Sequence, residues 1–161
     1  MMRPTSSGGR ERRRLPILLN PEELELRTWI QMMRTSSRME RRLEQALEHH
    51  GLSIAQFDIL ATLGFEQGIT QQDLAERLLV TKGNICGMID RMEVGGWVER
   101  RPDPEDRRLN RLFLTRLGKA KLGQTLPEQD ALLKQLMSAL KPAEIQSLYQ
   151  FLDRLEEAVG D

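Results

Sequence analysis

The hydrophobic positions of this chain fall at helical spacing over most of its length and switch once to a shorter period. Leu26, Ile30, Met33, Leu43 and Leu47 fit the stripe of a long first helix. Pro21 suits its first turn and Gly51 its stop. The middle of that helix, residues 35–42, is more polar than a core helix should be. Ser53-Ile54-Ala55-Gln56 has capping-box spacing and opens a second helix, with Phe57, Leu60 and Leu63 at helical intervals. Thr70 and Asp73 start a short third helix that turns Leu74, Ala75 and Leu78 inward. Leu79-Val80 is a turn, and Thr81 caps a fourth helix running to about Glu93. After Gly95-Gly96 the period changes. Residues 97–101 and 109–114 read as two short strands, joined by a polar loop containing Pro102 and Pro104. Thr115 caps a fifth helix through Leu132, Leu133, Leu136, Met137 and Leu140. Pro142 restarts a sixth, with Ile145, Leu148, Phe151 or Leu152, and Leu155 on one face. The pattern predicts a mainly α chain with one hairpin.

Composition narrows the function classes. The 161 residues carry 24 Lys+Arg against 24 Asp+Glu, for a formal net charge of zero. Distribution matters more than the sum. Residues 1–14 hold five Arg against one Glu and read as a disordered basic arm. Arg100, Arg101, Arg107, Arg108, Arg111 and Arg116 cluster around the hairpin against Asp103, Glu105 and Asp106. Positive potential is therefore localised. No apolar run approaches the roughly 18 residues of a membrane span, and the opening MMRPTSSGGRERRRLPILLN lacks the features of a secretory signal. A lone cysteine, Cys86, excludes a disulfide framework and a cysteine metal cluster. His49 and His50 have no third partner for a metal triad and read as partners of a helix C-terminus. The expectation is a cytoplasmic protein with no metal and no cofactor.

Helix, tight turn, helix and hairpin is the order of a winged helix-turn-helix, whose second helix lies in the major groove. The fourth helix has the two faces this role demands. Ile85, Met88, Ile89 and Met92 form its inward stripe, while Thr81, Lys82, Asn84, Cys86, Asp90 and Arg91 lie opposite. Gly83 and Gly87, one turn apart, let its backbone approach DNA closely, although each costs about 1 kcal/mol of helix stability relative to alanine. Asn84 suits an adenine edge, and Lys82 a guanine or a phosphate. Thr70 and Gln71, at the start of the third helix, complete the DNA-facing set. Asp90 and Arg91 fit equally a bridge to neighbouring helices. Surplus leucine in the terminal helices, with Ile17, Leu18 and Leu19, exceeds what one small lobe can bury and predicts a homodimer.

Residues 70–120 closely resemble the MarR family of bacterial transcription regulators. The resemblance rests on Asp90-Arg91-Met92-Glu93, on Asp103-Pro104-Glu105-Asp106-Arg107-Arg108, and on Leu114-Thr115 with Gly118. It extends over about residues 20–160. It implies a homodimer built from the terminal helices, binding double-stranded DNA at a pseudo-palindromic operator. It also implies a wing arginine in the minor groove: Arg107 and Arg108 match that position, and Asp106 matches the acid that holds one of them in pose. A small-molecule effector between the dimerisation helices and the DNA-binding lobe is implied as well, with Trp29, Met33 and Asp58 as candidates. The thiol-sensing branch of the family keeps its reactive cysteine in the first helix region, so Cys86 is not read as a sensor. The organisation expected is a basic arm at 1–14, a dimerisation segment and helix at 15–52, a two-stranded-wing lobe at 53–118, and dimerisation helices at 119–161. An enzyme would need a base, nucleophile or metal constellation, and no such spacing is present. A helical adaptor would leave the arginine-tipped hairpin unexplained.

Overall fold

Helix α1 (Leu24–Glu48) opens the part of the chain that the computed structural model describes, residues 23–160. The basic arm expected at residues 1–14, and Ile17, Leu18 and Leu19, lie outside the described residues. The chain divides into two units, Met1–Ser37 and Arg38–Asp161. In the first unit the described residues form the opening turns of α1. The second unit carries α2 (Ile54–Phe65), β1 (Ile69–Thr70), α3 (Gln71–Arg77), α4 (Lys82–Val94), β2 (Val98–Pro102), β3 (Asn110–Leu114), α5 (Arg116–Met137) and α6 (Pro142–Val159).

Local chemistry sets most of these boundaries. Ser53 and Gln56 close a reciprocal capping box at α2, and Thr70 and Asp73 close another at α3. Thr81 accepts from the Asn84 N–H at 3.4 Å to start α4. Thr115 accepts from the Gly118 N–H at 3.0 Å, and its hydroxyl donates to the Gly96 carbonyl at 2.6 Å. That one residue therefore starts α5 and ties it to the end of α4. Gly118 has no room for a side chain, since a Cβ there would lie 2.0 Å from the Trp97 carbonyl oxygen. The fifth helix stops at Met137, so Leu140 lies in the turn before α6, where its N–H donates to the Met137 carbonyl at 3.0 Å.

The core of the second unit gathers Leu60 and Leu63 from α2, Leu74 from α3, Ile85, Ile89 and Met92 from α4, and Val98, Leu112 and Leu114 from the strands, all buried. The hairpin pairs Val98 with Leu114 through Pro102 with Asn110. The expected two-stranded wing is present as β2 and β3, and β1 extends it to a three-stranded antiparallel sheet in the order β1-β3-β2, with Ile69 opposite Leu112. A two-residue strand is too short to show a period, which is why the sequence pattern hid it. Its entry depends on Gly68, which has φ +80° and lies where a Cβ would sit 3.3 Å from the Phe113 ring.

Candidate nucleic-acid interface

α4 sorts its residues as its period requires. Ile85, Ile89 and Met92 are buried in the core, and Met88 is half-buried against it. Thr81, Gly83, Asn84, Cys86, Asp90 and Arg91 are exposed. The side chains of Asn84 and Arg91 make no hydrogen bond or ion pair among the described residues, so both are available to a partner; the Lys82 side chain lies outside the described residues. Nothing stands within 4 Å of a Cβ built on Gly83, and only the Arg91 guanidinium, at 3.7 Å, near one on Gly87. Packing within the chain therefore does not require either glycine. Gln71 donates to the Cys86 sulfur at 3.5 Å, joining the start of α3 to the middle of α4.

Thr70 starts α3 as its spacing with Asp73 predicts. Its hydroxyl donates to the Asp73 carboxylate at 2.8 Å and accepts from the Asp73 N–H at 3.1 Å, so it serves the cap of α3. The Thr70 N–H, then its hydroxyl, hold the Asp73 carboxyl below the usual carboxylate range. Leu79, in the turn between α3 and α4, adopts φ +51°, a conformation unusual for a leucine, with its side chain exposed.

At the wing tip Asp106 grips Arg108 with both carboxylate oxygens. Nε donates to Oδ1 and Nη2 to Oδ2, each at 2.9 Å, and the Arg108 N–H adds a third bond at 3.0 Å. This is the bidentate, charge-assisted geometry that fixes a guanidinium plane. The Arg108 side chain stays 89% exposed while held. The same contact, side chain first, keeps the Asp106 carboxyl below its ordinary range. Arg107 is exposed and makes no hydrogen bond or ion pair among the described residues.

Sequence reasoning missed the base of this tip. Asp103 is only 3% exposed. It accepts from the N–H groups of Glu105 and Asp106 at 2.7 and 3.0 Å, and from Arg111 Nε at 2.5 Å. An aspartate followed by Pro-Glu-Asp is the available signal, because such side chains turn back onto amides two and three residues ahead. Arg100 was missed as well: it ion-pairs with Asp90 at 2.5 Å and with Glu93, bracing β2 against α4. Asp90 thus bridges to a neighbouring strand, where the sequence reading offers a neighbouring helix.

Trp29 and Met33 lie one turn apart on α1, about half exposed. Asp58 is half-buried on α2, and burial pushes its carboxyl above the ordinary value. His50 meets Glu128 of α5 at 2.8 Å, and Lys121 donates to the His50 carbonyl. Among the described residues no group of three or more His, Cys, Asp or Glu could hold a metal ion, and no helix is long and apolar enough to cross a membrane.

Comparison with known proteins places this arrangement. A sequence profile of the MarR family matches residues 50–109. The HTH-type transcriptional repressor YetL of Bacillus subtilis is 31% identical over 137 residues, which are 84% of this chain and 82% of the relative. A cysteine-to-serine variant of MarR from E. coli, solved in complex with operator DNA, is 31% identical with a TM-score of 0.73, over 84% of this chain and 96% of that one. AbsC of Streptomyces coelicolor, a MarR family transcriptional regulator, shares the fold with a TM-score of 0.81 at 24% identity, over 85% and 95% of the two chains.

Proposed function

The chain belongs to the MarR family, and on that premise we propose that it is a homodimeric, sequence-specific regulator of transcription that represses from a pseudo-palindromic operator in the cytoplasm. The observation that carries this reading is the pairing of two surfaces. One is a helix face of glycine backbone and free polar side chains; the other is a hairpin tip whose arginine is held in pose by acid. In the reading, α4 enters the major groove, with Asn84 on a base edge and the backbone at Gly83 and Gly87 close to the duplex. Lys82 and Arg91 reach guanine or phosphate, Thr81 and Cys86 line the same face, and Gln71 supports it from α3. Arg107 and Arg108 enter the minor groove, where narrow A·T-rich stretches concentrate negative potential.

Residues 53–118 form the DNA-binding lobe in this proposal, and residues 15–52 and 119–161 the dimer. Support for the second part comes from α6, which buries none of its residues although Leu148, Phe151, Leu152 and Leu155 lie along it. An apolar stripe of that length suits an obligate interface, beyond roughly 2,000 Å² in total. Release of the operator by a small aromatic anion completes the proposal. Such a ligand must discriminate between the DNA-competent and incompetent states by several kcal/mol. A panel of phenolic acids and urate that alters neither melting temperature nor operator affinity removes that regulatory part.

The test of the proposal as a whole is an electrophoretic shift with duplexes selected from random sequence, against unselected DNA, at two salt concentrations. The expected result is tighter binding to selected duplexes, with salt weakening both kinds through counterion release. Equal, weak binding to all duplexes contradicts sequence-specific regulation.

A further inference from the structure

One side chain joins the base of the wing to the strand that leads into the helix-turn-helix. Arg111 lies on β3 opposite Thr70 of β1. Its Nε donates to Asp103 Oδ2 at 2.5 Å, and its Nη1 donates to the Gly68 carbonyl at 2.8 Å, 43 residues away along the chain. Asp103 in turn holds the amides of Glu105 and Asp106, and its own N–H closes the loop on the Leu109 carbonyl at 2.9 Å. Asp106 then grips Arg108. An unbroken series of hydrogen bonds therefore runs from Gly68, through Arg111, Asp103 and Asp106, to the exposed guanidinium at the tip.

We propose that Arg111, acting through Asp103, is the positioning residue that fixes the wing relative to α3 and α4, and so aims Arg108 at the minor groove. This rests on the DNA-binding reading given above. A carboxylate as buried as Asp103 needs a partner that satisfies its charge, and two amides leave one oxygen open. The guanidinium fork fills that oxygen and still reaches a backbone carbonyl in another direction. A lysine ammonium, a single point donor on a flexible stem, does not hold two acceptors in one plane. Binding that engages a major and a minor groove together depends on the angle between the two elements. A wing that pivots keeps the major-groove contacts of α4 and loses those of the tip.

The experiment compares wild type, Arg111→Lys, Arg111→Gln and Asp103→Asn, alone and combined with Arg108→Ala. Each binds a selected duplex whose flanks are either A·T-rich or G·C-rich. Melting and light scattering establish that each variant is folded and assembled like wild type. Arg111→Lys is expected to weaken binding roughly tenfold, to erase the preference for A·T flanks, and to have almost no further effect once Arg108 is alanine. That non-additivity distinguishes positioning from general destabilisation. Amide exchange of the free protein gives a readout independent of DNA: Glu105 and Asp106 should exchange faster in Arg111→Lys while the amides of α3 and α4 stay protected. Losses from Arg111→Lys and Arg108→Ala that simply multiply, with flank preference intact, overturn the inference. So does wing exchange identical to wild type. A wild-type chain that shows no preference for any duplex instead overturns the DNA-binding reading, and the two failures are distinct.

Discussion

A carboxylate beside a phosphate backbone repels it unless another contact holds that carboxylate to a different purpose. Asp106 has that contact, since both of its oxygens lie on Arg108. Asp106→Ala is therefore expected to weaken operator binding at fixed salt and leave melting nearly unchanged; tighter binding shows that the acid only repels. The acid-and-arginine pair was legible because its members are two residues apart. Asp103 and Arg111 were not, because their partnership is created by the register of the β2–β3 hairpin, which brings together two residues eight apart in the chain. Asp58 makes a second prediction at this scale. Burial raises its carboxyl above the ordinary value of 3.8, so the folded state binds a proton more readily than the unfolded state. Its charge is then a cost at neutral pH, one that fades as the pH falls through the raised value toward the unfolded one. Asp58→Asn should raise stability in urea at pH 7 and lose that advantage near pH 4. A variant less stable than wild type at pH 7 shows that the charge has a compensating partner.

Among the elements, α4 carries the clearest conflict between stability and use. Gly83 and Gly87 each weaken a helix by about 1 kcal/mol against alanine, and no neighbour within the chain requires the missing side chains. Changing both to alanine should raise the urea midpoint, by up to about 2 kcal/mol together in stability, while weakening binding to the selected duplex. A double variant that is more stable and binds as well as wild type removes the close-approach role. Caps were the most readable feature of the sequence, since Ser53, Thr70, Thr81 and Thr115 each act on an amide within three residues. The β1 strand was unreadable for the opposite reason. Its two residues join the sheet only because Gly68 turns the backbone and donates its N–H to the Leu112 carbonyl at 2.8 Å.

At the scale of the whole molecule, the apolar stripe of α6 is exposed in the single chain. Leu152→Glu with Leu155→Glu places two charges in that stripe, and light scattering should then report monomers where wild type gives dimers. A double variant that remains dimeric moves the interface elsewhere. Dimerisation matters to function through geometry, since two recognition helices must meet major grooves one helical turn apart, about 34 Å. The most direct measurement of the central claim is a hydroxyl-radical footprint of the full chain on its selected duplex, beside the same footprint for Arg107→Ala combined with Arg108→Ala. Wild type should protect a two-fold symmetric pattern, with the outer minor grooves shielded, and the arginine variant should lose only those outer protections. A wild-type footprint without symmetry, or outer protections that survive loss of both arginines, contradicts the account.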